Sequence, residues 1–169
     1  MHASLPKDYF ALFGLAPRFE VDIEALRETY RKLQAQAHPD RHVQAGDQQR
    51  RLAVQWATFI NEAYNTLRDP VARARYLLQL RGAAGHDESQ TVKDPAFLME
   101  QMALRERLDE TPVAQLNPLL DELEAKLAEL GQSFSAALAR DAEETARVTV
   151  QKMQFVARLL AEAHARDET

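Results

Sequence analysis

An all-α protein is what this sequence predicts. Between its turn-forming stretches the apolar residues recur at spacings of three and four, never at two, which is the helical period and not that of a strand. The turn formers themselves gather at residues 14–17, 39–47, 82–94 and 111–118, leaving long uninterrupted tracts between them. At 169 residues with 46% apolar side chains, the chain is long enough for one or two small packed domains.

The elements follow in order. Residues 8–14 form a short first helix carrying Tyr9, Phe10, Leu12 and Phe13. The second helix opens at Asp22, a good N-cap, with Glu24 favourably placed in the first turn. Its apolar stripe is Ile23, Leu26, Tyr30, Leu33 and Ala37, and Arg27, Arg31 and Lys32 fall off that stripe and face water. It must end near Ala37 or His38, because a residue preceding proline is pushed out of the α region. The third helix is predicted over 47–67 with Ala53, Trp56, Ile60, Ala63, Tyr64 and Leu67 inward. A fourth covers 71–80 after Pro70, a residue suited to a first helical turn. Residues 82–90 hold two glycines among polar residues and make the best linker.

Three more helices are expected beyond it. These are 95–110; 118–140, with Leu120, Leu123, Leu127, Leu130, Phe134 and Leu138 near heptad spacing; and 141–165, with Thr149, Met153, Val156, Leu160 and Ala163 on one side. Short loops between them imply an antiparallel three-helix bundle. The division is therefore 1–81, a linker at 82–93, and a bundle at 94–169, with the 71–80 helix and its Tyr76, Leu77 and Leu78 stiffening the junction.

Composition excludes several classes of function. There is no cysteine, which removes disulfides, thiolate catalysis and cysteine ligation of zinc or of an iron–sulfur cluster. No apolar run approaches the ~20 residues of a membrane span, and the first residues carry neither a secretory nor an Arg-rich transit pattern. Net charge is −5, yet residues 1–81 hold 12 Lys/Arg against 9 Asp/Glu whereas residues 82–169 hold 9 against 17. Such a sign change suggests two units facing different partners. The N-terminal excess is too small to point to nucleic acid.

Helical geometry leaves two apolar groups without a core to enter. On the 95–110 helix, Phe97, Leu104 and Leu108 share one side, and Leu98, Met99 and Met102 lie ~150° away with Glu106 in the same direction. A helix at the rim of a three-helix bundle buries one stripe only, so the second faces solvent. Phe155 falls ~120° from the core stripe of its own helix. Exposed Met and aromatic side chains are common in partner sites.

The tripeptide His38-Pro39-Asp40 sets a histidine and a carboxylate side by side at a helix end, outside the core. His38 and His42 have the spacing of a helical metal pair, but Pro39 between them breaks the helix that would align them. No serine sits in a nucleophile elbow and no glycine-rich phosphate loop is present. No catalytic residue, metal site or cofactor is assigned. With Asp8-Tyr9-Phe10-Ala11-Leu12-Phe13-Gly14-Leu15 before it and Ile60-Asn61-Glu62-Ala63-Tyr64-Asn65-Thr66-Leu67 after it, this segment resembles a J domain in order and spacing. That resemblance implies docking on a DnaK-type chaperone and stimulation of its ATPase. His38, Pro39 and Asp40 would form the required loop, Arg27, Arg31 and Lys32 the basic docking face, and Arg41 and His42 an extension of its positive edge.

The run Asp94-Pro-Ala-Phe-Leu-Met-Glu-Gln-Met-Ala-Leu-Arg-Glu106 is similar to the C-terminal domain of HscB-type co-chaperones of iron–sulfur cluster biogenesis, and the resemblance extends over nearly the whole chain. It implies an adaptor, not an enzyme. Such an adaptor binds an IscU-type scaffold protein and delivers it to an HscA-type member of the DnaK family. The scaffold-contacting positions carry over as Leu98, Met99, Met102, Glu106 and Phe155. Ala103 stands where the family often has an acidic residue, a departure that puts in question one polar contact to the scaffold which the resemblance would otherwise imply. Pro95 replaces a more ordinary helix-start residue, without harm in a first turn. The alternative is a J-domain co-chaperone serving another client. Neither nucleic acid nor membrane is expected as a partner, and the expected location is the bacterial cytoplasm rather than the mitochondrion.

Overall fold

The computed structural model describes residues 4–38, 40, 44, 46–82 and 94–168. Those residues form helices and connecting turns, with no strand among them. The order is α1 (Tyr9–Leu12), α2 (Ile23–Ala37), α3 (Asp47–Arg68), α4 (Pro70–Leu80), α5 (Pro95–Glu110), a 3-10 turn at Val113–Gln115, α6 (Leu116–Ala139) and α7 (Glu143–Asp167). The chain divides into two compact units, Met1–Tyr76 and Leu77–Thr169, and the division falls within α4. None of the described helices is long and apolar enough to cross a membrane.

In the first unit α2 and α3 pack as a hairpin and α1 lies on α3. Asp8 caps α1 by accepting from the Ala11 N–H, and Asp22 caps α2 by accepting from the Ala25 N–H. These bonds satisfy amides that a helix start leaves without partners. Phe10, Leu26, Ala37, Ala53, Ile60, Ala63 and Leu67 are each 2% exposed or less and form the core. Ile23, Tyr30, Leu33 and Trp56, placed on the same stripes by their spacing, are only half-buried because they lie at the hairpin's margins. Tyr9 stacks on Tyr76 with ring centres 4.5 Å apart, and the Tyr9 N–H donates to the Tyr76 hydroxyl at 3.0 Å. Gly14 follows α1 at φ 67°, a conformation that glycine adopts without steric penalty.

In the second unit α6 and α7 form a long antiparallel pair, and α5 lies on α7 with less of its length in contact. Leu104, Leu108, Leu116, Leu119, Leu120, Leu123, Val156, Leu159 and Ala163 form one apolar cluster. Three details differ from the sequence expectation. Helix α6 starts at Leu116, not Pro118, because the 3-10 turn leads straight into it and Pro118 falls within its first turn, where proline is tolerated. Helix α7 starts at Glu143, since Asp141 sits at φ 55° in the turn and cannot continue a right-handed helix. Leu159 is fully buried where Leu160 was expected, and Leu160, Leu127 and Leu130 pack half-buried at the cluster's edge.

Candidate functional site

The first candidate surface lies where the chain leaves α2, at the connected end of the α2–α3 hairpin. Helix α2 stops at Ala37, and His38 turns extended at ψ 127° as its position before proline requires. The Asp40 N–H donates to His38 Nδ1 at 3.2 Å, and Asp40 Oδ2 lies 3.5 Å from the same nitrogen. The His38 side chain is 58% exposed and that of Asp40 86%, so both functional groups are presented to solvent. Pro39, Arg41 and His42 lie outside the described residues.

The basic residues of α2 are on its outer side. Arg31 is exposed. Lys32 pairs with Glu28 at 2.9 Å and Arg27 with Glu24 at 3.2 Å, both one helical turn away. A hydrogen bond to Tyr64, then the charge of Glu24, raise the Arg27 pKa, and the Lys32 hydrogen bond lowers that of Glu28. Exposed pairs of this kind are weak, so an acidic partner can redirect them at little cost. Beside them lies a polar network that the spacing of residues did not reveal. Tyr30 and Tyr64 stack with ring centres 4.0 Å apart, the Tyr30 hydroxyl donates to Asn61 at 2.8 Å, and the Gln34 amide donates to that hydroxyl at 2.8 Å. It ties the middle of α2 to α3 and so fixes the direction in which the basic face points.

The second candidate surface is carried by α5 and α7. Asp94 caps α5, Pro95 occupies its first turn, and Phe97, Leu104 and Leu108 enter the core. Opposite them, Met99 and Met102 are each 73% exposed and Leu98 is 40% exposed. Glu106 is exposed on the same helix. Phe155 differs from the sequence expectation: it is half-buried instead of facing solvent freely. Its ring meets Phe97 edge-on at 5.9 Å and packs against the cluster of the bundle, because the rim of α5 reaches over it. The flanks of α5 are held by charge. Arg107 donates both guanidinium arms to Glu122 at 2.8 and 2.7 Å, Arg105 pairs with Glu162, Lys126 with Glu100, and Arg166 donates to the Leu108 and Thr111 carbonyls at the helix end. The hydrogen bond from Arg107 holds the Glu122 carboxyl below its usual range, and that from Arg105 does the same for Glu162.

The two units have counterparts in known families. Residues 8–76 match the DnaJ domain family, and residues 93–164 match the family described as the HSCB C-terminal oligomerisation domain. A helical hairpin presenting His38 and Asp40 at its end, followed by a helical bundle, thus defines a J-domain co-chaperone. A co-chaperone protein HscB homolog of Burkholderia thailandensis is 45% identical over 98% of this chain and 97% of its own. The solved chaperone HscB from Vibrio cholerae is 38% identical with a TM-score of 0.82, covering 95% of this chain and 98% of the other. The crystal structure of the human co-chaperone protein HscB superposes at a TM-score of 0.87 with 30% identity, over 96% of this chain and 84% of that one. The chain belongs to the HscB family of co-chaperones.

Proposed function

We propose that this co-chaperone binds an IscU-type iron–sulfur scaffold protein through its C-terminal bundle and delivers it to an HscA-type, DnaK-family chaperone whose ATPase its J domain stimulates. The observation that carries the client half is the pair Met99 and Met102, each 73% exposed on a helix that buries Phe97, Leu104 and Leu108 on its other side. Thioether side chains adapt to varied apolar partners, and their exposure side by side has no use in packing the bundle. Leu98, Phe155 and Glu106 complete that surface in this reading.

The chaperone half rests on exposed chemistry. Asp40 is exposed and can accept a bidentate arginine, a strong and directional bond. His38 holds the Asp40 N–H and so shapes the turn. Arg27, Arg31 and Lys32, with Arg41 beyond them, speed encounter with an acidic surface. Pro39 limits the conformations the loop must lose on docking. We place the J domain at 1–81, a linker at 82–93 and the client-binding bundle at 94–169. Holding both partners at once raises the scaffold's effective concentration at the chaperone's peptide site. The protein acts as an adaptor in the bacterial cytoplasm, and the chemistry of ATP hydrolysis belongs to the chaperone.

Steady-state ATP hydrolysis by an HscA-type chaperone, with scaffold held below saturation, tests both halves. The expected result is synergistic stimulation that disappears in His38→Gln while helicity is unchanged. Stimulation indifferent to the scaffold means a different client. No stimulation, or an unfolded His38→Gln variant, overturns the docking role of the loop.

A further inference from the structure

Asp94 serves two elements at once. Its Oδ1 accepts from the Ala96 N–H at 3.0 Å and so caps α5, while its Oδ2 lies 3.5 Å from the Lys152 ammonium on α7. The same ammonium sits 5.2 Å from the centre of the Phe97 ring. That ring in turn meets Phe155 edge-on with an interplanar angle of 86°. Lys152 and Phe155 are three residues apart on α7 and therefore share a face. The lysine side chain is only 27% exposed, which places its charge where water screens it weakly.

The first turns of α5 need such a tie. Phe97 is buried there, and the next core residue of the helix, Leu104, comes almost two turns later. Phe97 fixes the depth of this helix end and the Lys126–Glu100 pair holds its flank toward α6, which leaves the flank toward α7 to be tied. Roll at this point moves Leu98 and Met99 relative to Phe155. An ion pair to the cap and a cation over the ring together restrain that roll, the first acting at the backbone and the second at the side chain.

Building on the client-binding reading above, we propose that Lys152 is a positioning residue of the scaffold site. By holding Asp94 and Phe97 it locks the first turn of α5 against α7, so that Leu98, Met99 and Phe155 present one preformed apolar face. A preformed face has less conformational freedom to lose when the scaffold docks.

The test is a calorimetric titration of scaffold protein into the full chain, parent and variants, with a thermal melt of each. Lys152→Met keeps the apolar stem, and Asp94→Asn keeps a competent cap. Each is expected to weaken binding about three- to fivefold, as loss of a partly exposed ion pair does. The double variant should be no weaker than the poorer single one, since both remove one interaction. Lys152→Arg should restore affinity to within about twofold of the parent, and melting midpoints should fall by no more than about 5 °C. Additive losses would mean that Lys152 touches the scaffold itself, and losses that track the melting midpoint would mean a purely structural role; either overturns positioning. Unchanged affinity in Lys152→Met, with binding still lost in the Leu98/Met99/Phe155→Ala triple variant, overturns this proposal alone. Unchanged affinity in the triple variant removes the client-binding reading and this proposal with it.

Discussion

Replacing Arg73 with methionine should destabilise the first unit by about 2 kcal/mol, and the figure can be built from its contacts. Arg73 is 7% exposed. Helix α3 ends at Arg68, so the carbonyl of Leu67 is among the four that a helix end leaves without an N–H, and Pro70 has none to offer. Arg73 fills that vacancy, donating from Nη1 to the Leu67 carbonyl at 2.6 Å. Its guanidinium also lies 4.7 Å over the Phe19 ring. Burial pushes the Arg73 pKa down, and the charges of Asp69 and Glu20 work against that shift. Losing a charged hydrogen bond and leaving a buried carbonyl unmet costs about 1.5–3 kcal/mol. Losing the ring contact adds about 1 kcal/mol. Relief of the guanidinium's desolvation offsets part of both and leaves about 2 kcal/mol.

Trp56 is the only tryptophan and sits in α3, so its fluorescence reports this unit within the full chain. With a urea slope of about 1 kcal/mol/M for a unit of this size, the midpoint should fall by about 2 M. A fall of less than about 0.5 M would show that the guanidinium contributes no more than its burial costs, and would refute the assignment of Arg73 as the cap of α3.

Two further outcomes follow from other contacts. Glu122 and Glu162 are held below the usual carboxylate range by their arginines. Their folded values are thus lower than the ~4.3 of the unfolded chain, so the stability they contribute is full above about pH 5 and fades as pH falls through the depressed values. The Glu122→Gln/Glu162→Gln variant should start less stable at pH 7 by under about 2 kcal/mol and lose less on acidification, followed by helicity in urea; equal acid slopes would refute the pairing. At Gly14, φ is 67° and a side chain would meet no atom within 4 Å. Gly14→Ala should therefore cost about 1 kcal/mol from backbone strain alone, and Gly14→Asn clearly less, in the Trp56 urea assay. Equal losses would point away from the left-handed conformation as the cause.

Much of this architecture is legible in the sequence because it depends on local rules. Asp22 announces α2 by capping it, Pro39 ends it, and the angular separation of Met99 and Met102 from Leu104 and Leu108 follows from helical pitch alone. What was illegible depends on distance along the chain. Nothing in the sequence singles out Arg73 or Lys152, since a long basic side chain can stand on any helix face and carry its head to water. Lys152 meets Asp94 at a separation of 58 residues, and no spacing rule connects them. Phe155 was placed in solvent because periodicity describes one helix at a time, whereas its burial is decided by where the rim of α5 lies. The start of α7 differs for another reason: aspartate is among the few side chains that visit the left-handed region, but it does so only occasionally, and it serves equally well at a helix start.

The unequal packing of the second unit also sets an order of events. Helices α6 and α7 are adjacent in sequence and pack along most of their length, so their contacts are local and close early as the chain folds. Helix α5 has three side chains in the core and docks on a hairpin already made. It is then expected to be the last element to dock and the first to open in its unit, which hydrogen exchange of the α5 amides would check. A partner seated on Met99 and Met102, as proposed, would grip the very helix expected to open most readily. By mass action it stabilises the unit as it binds, by about 2.7 kcal/mol at a hundredfold excess over its dissociation constant. On the proposed reading, occupancy by client and persistence of the fold would be coupled through one helix.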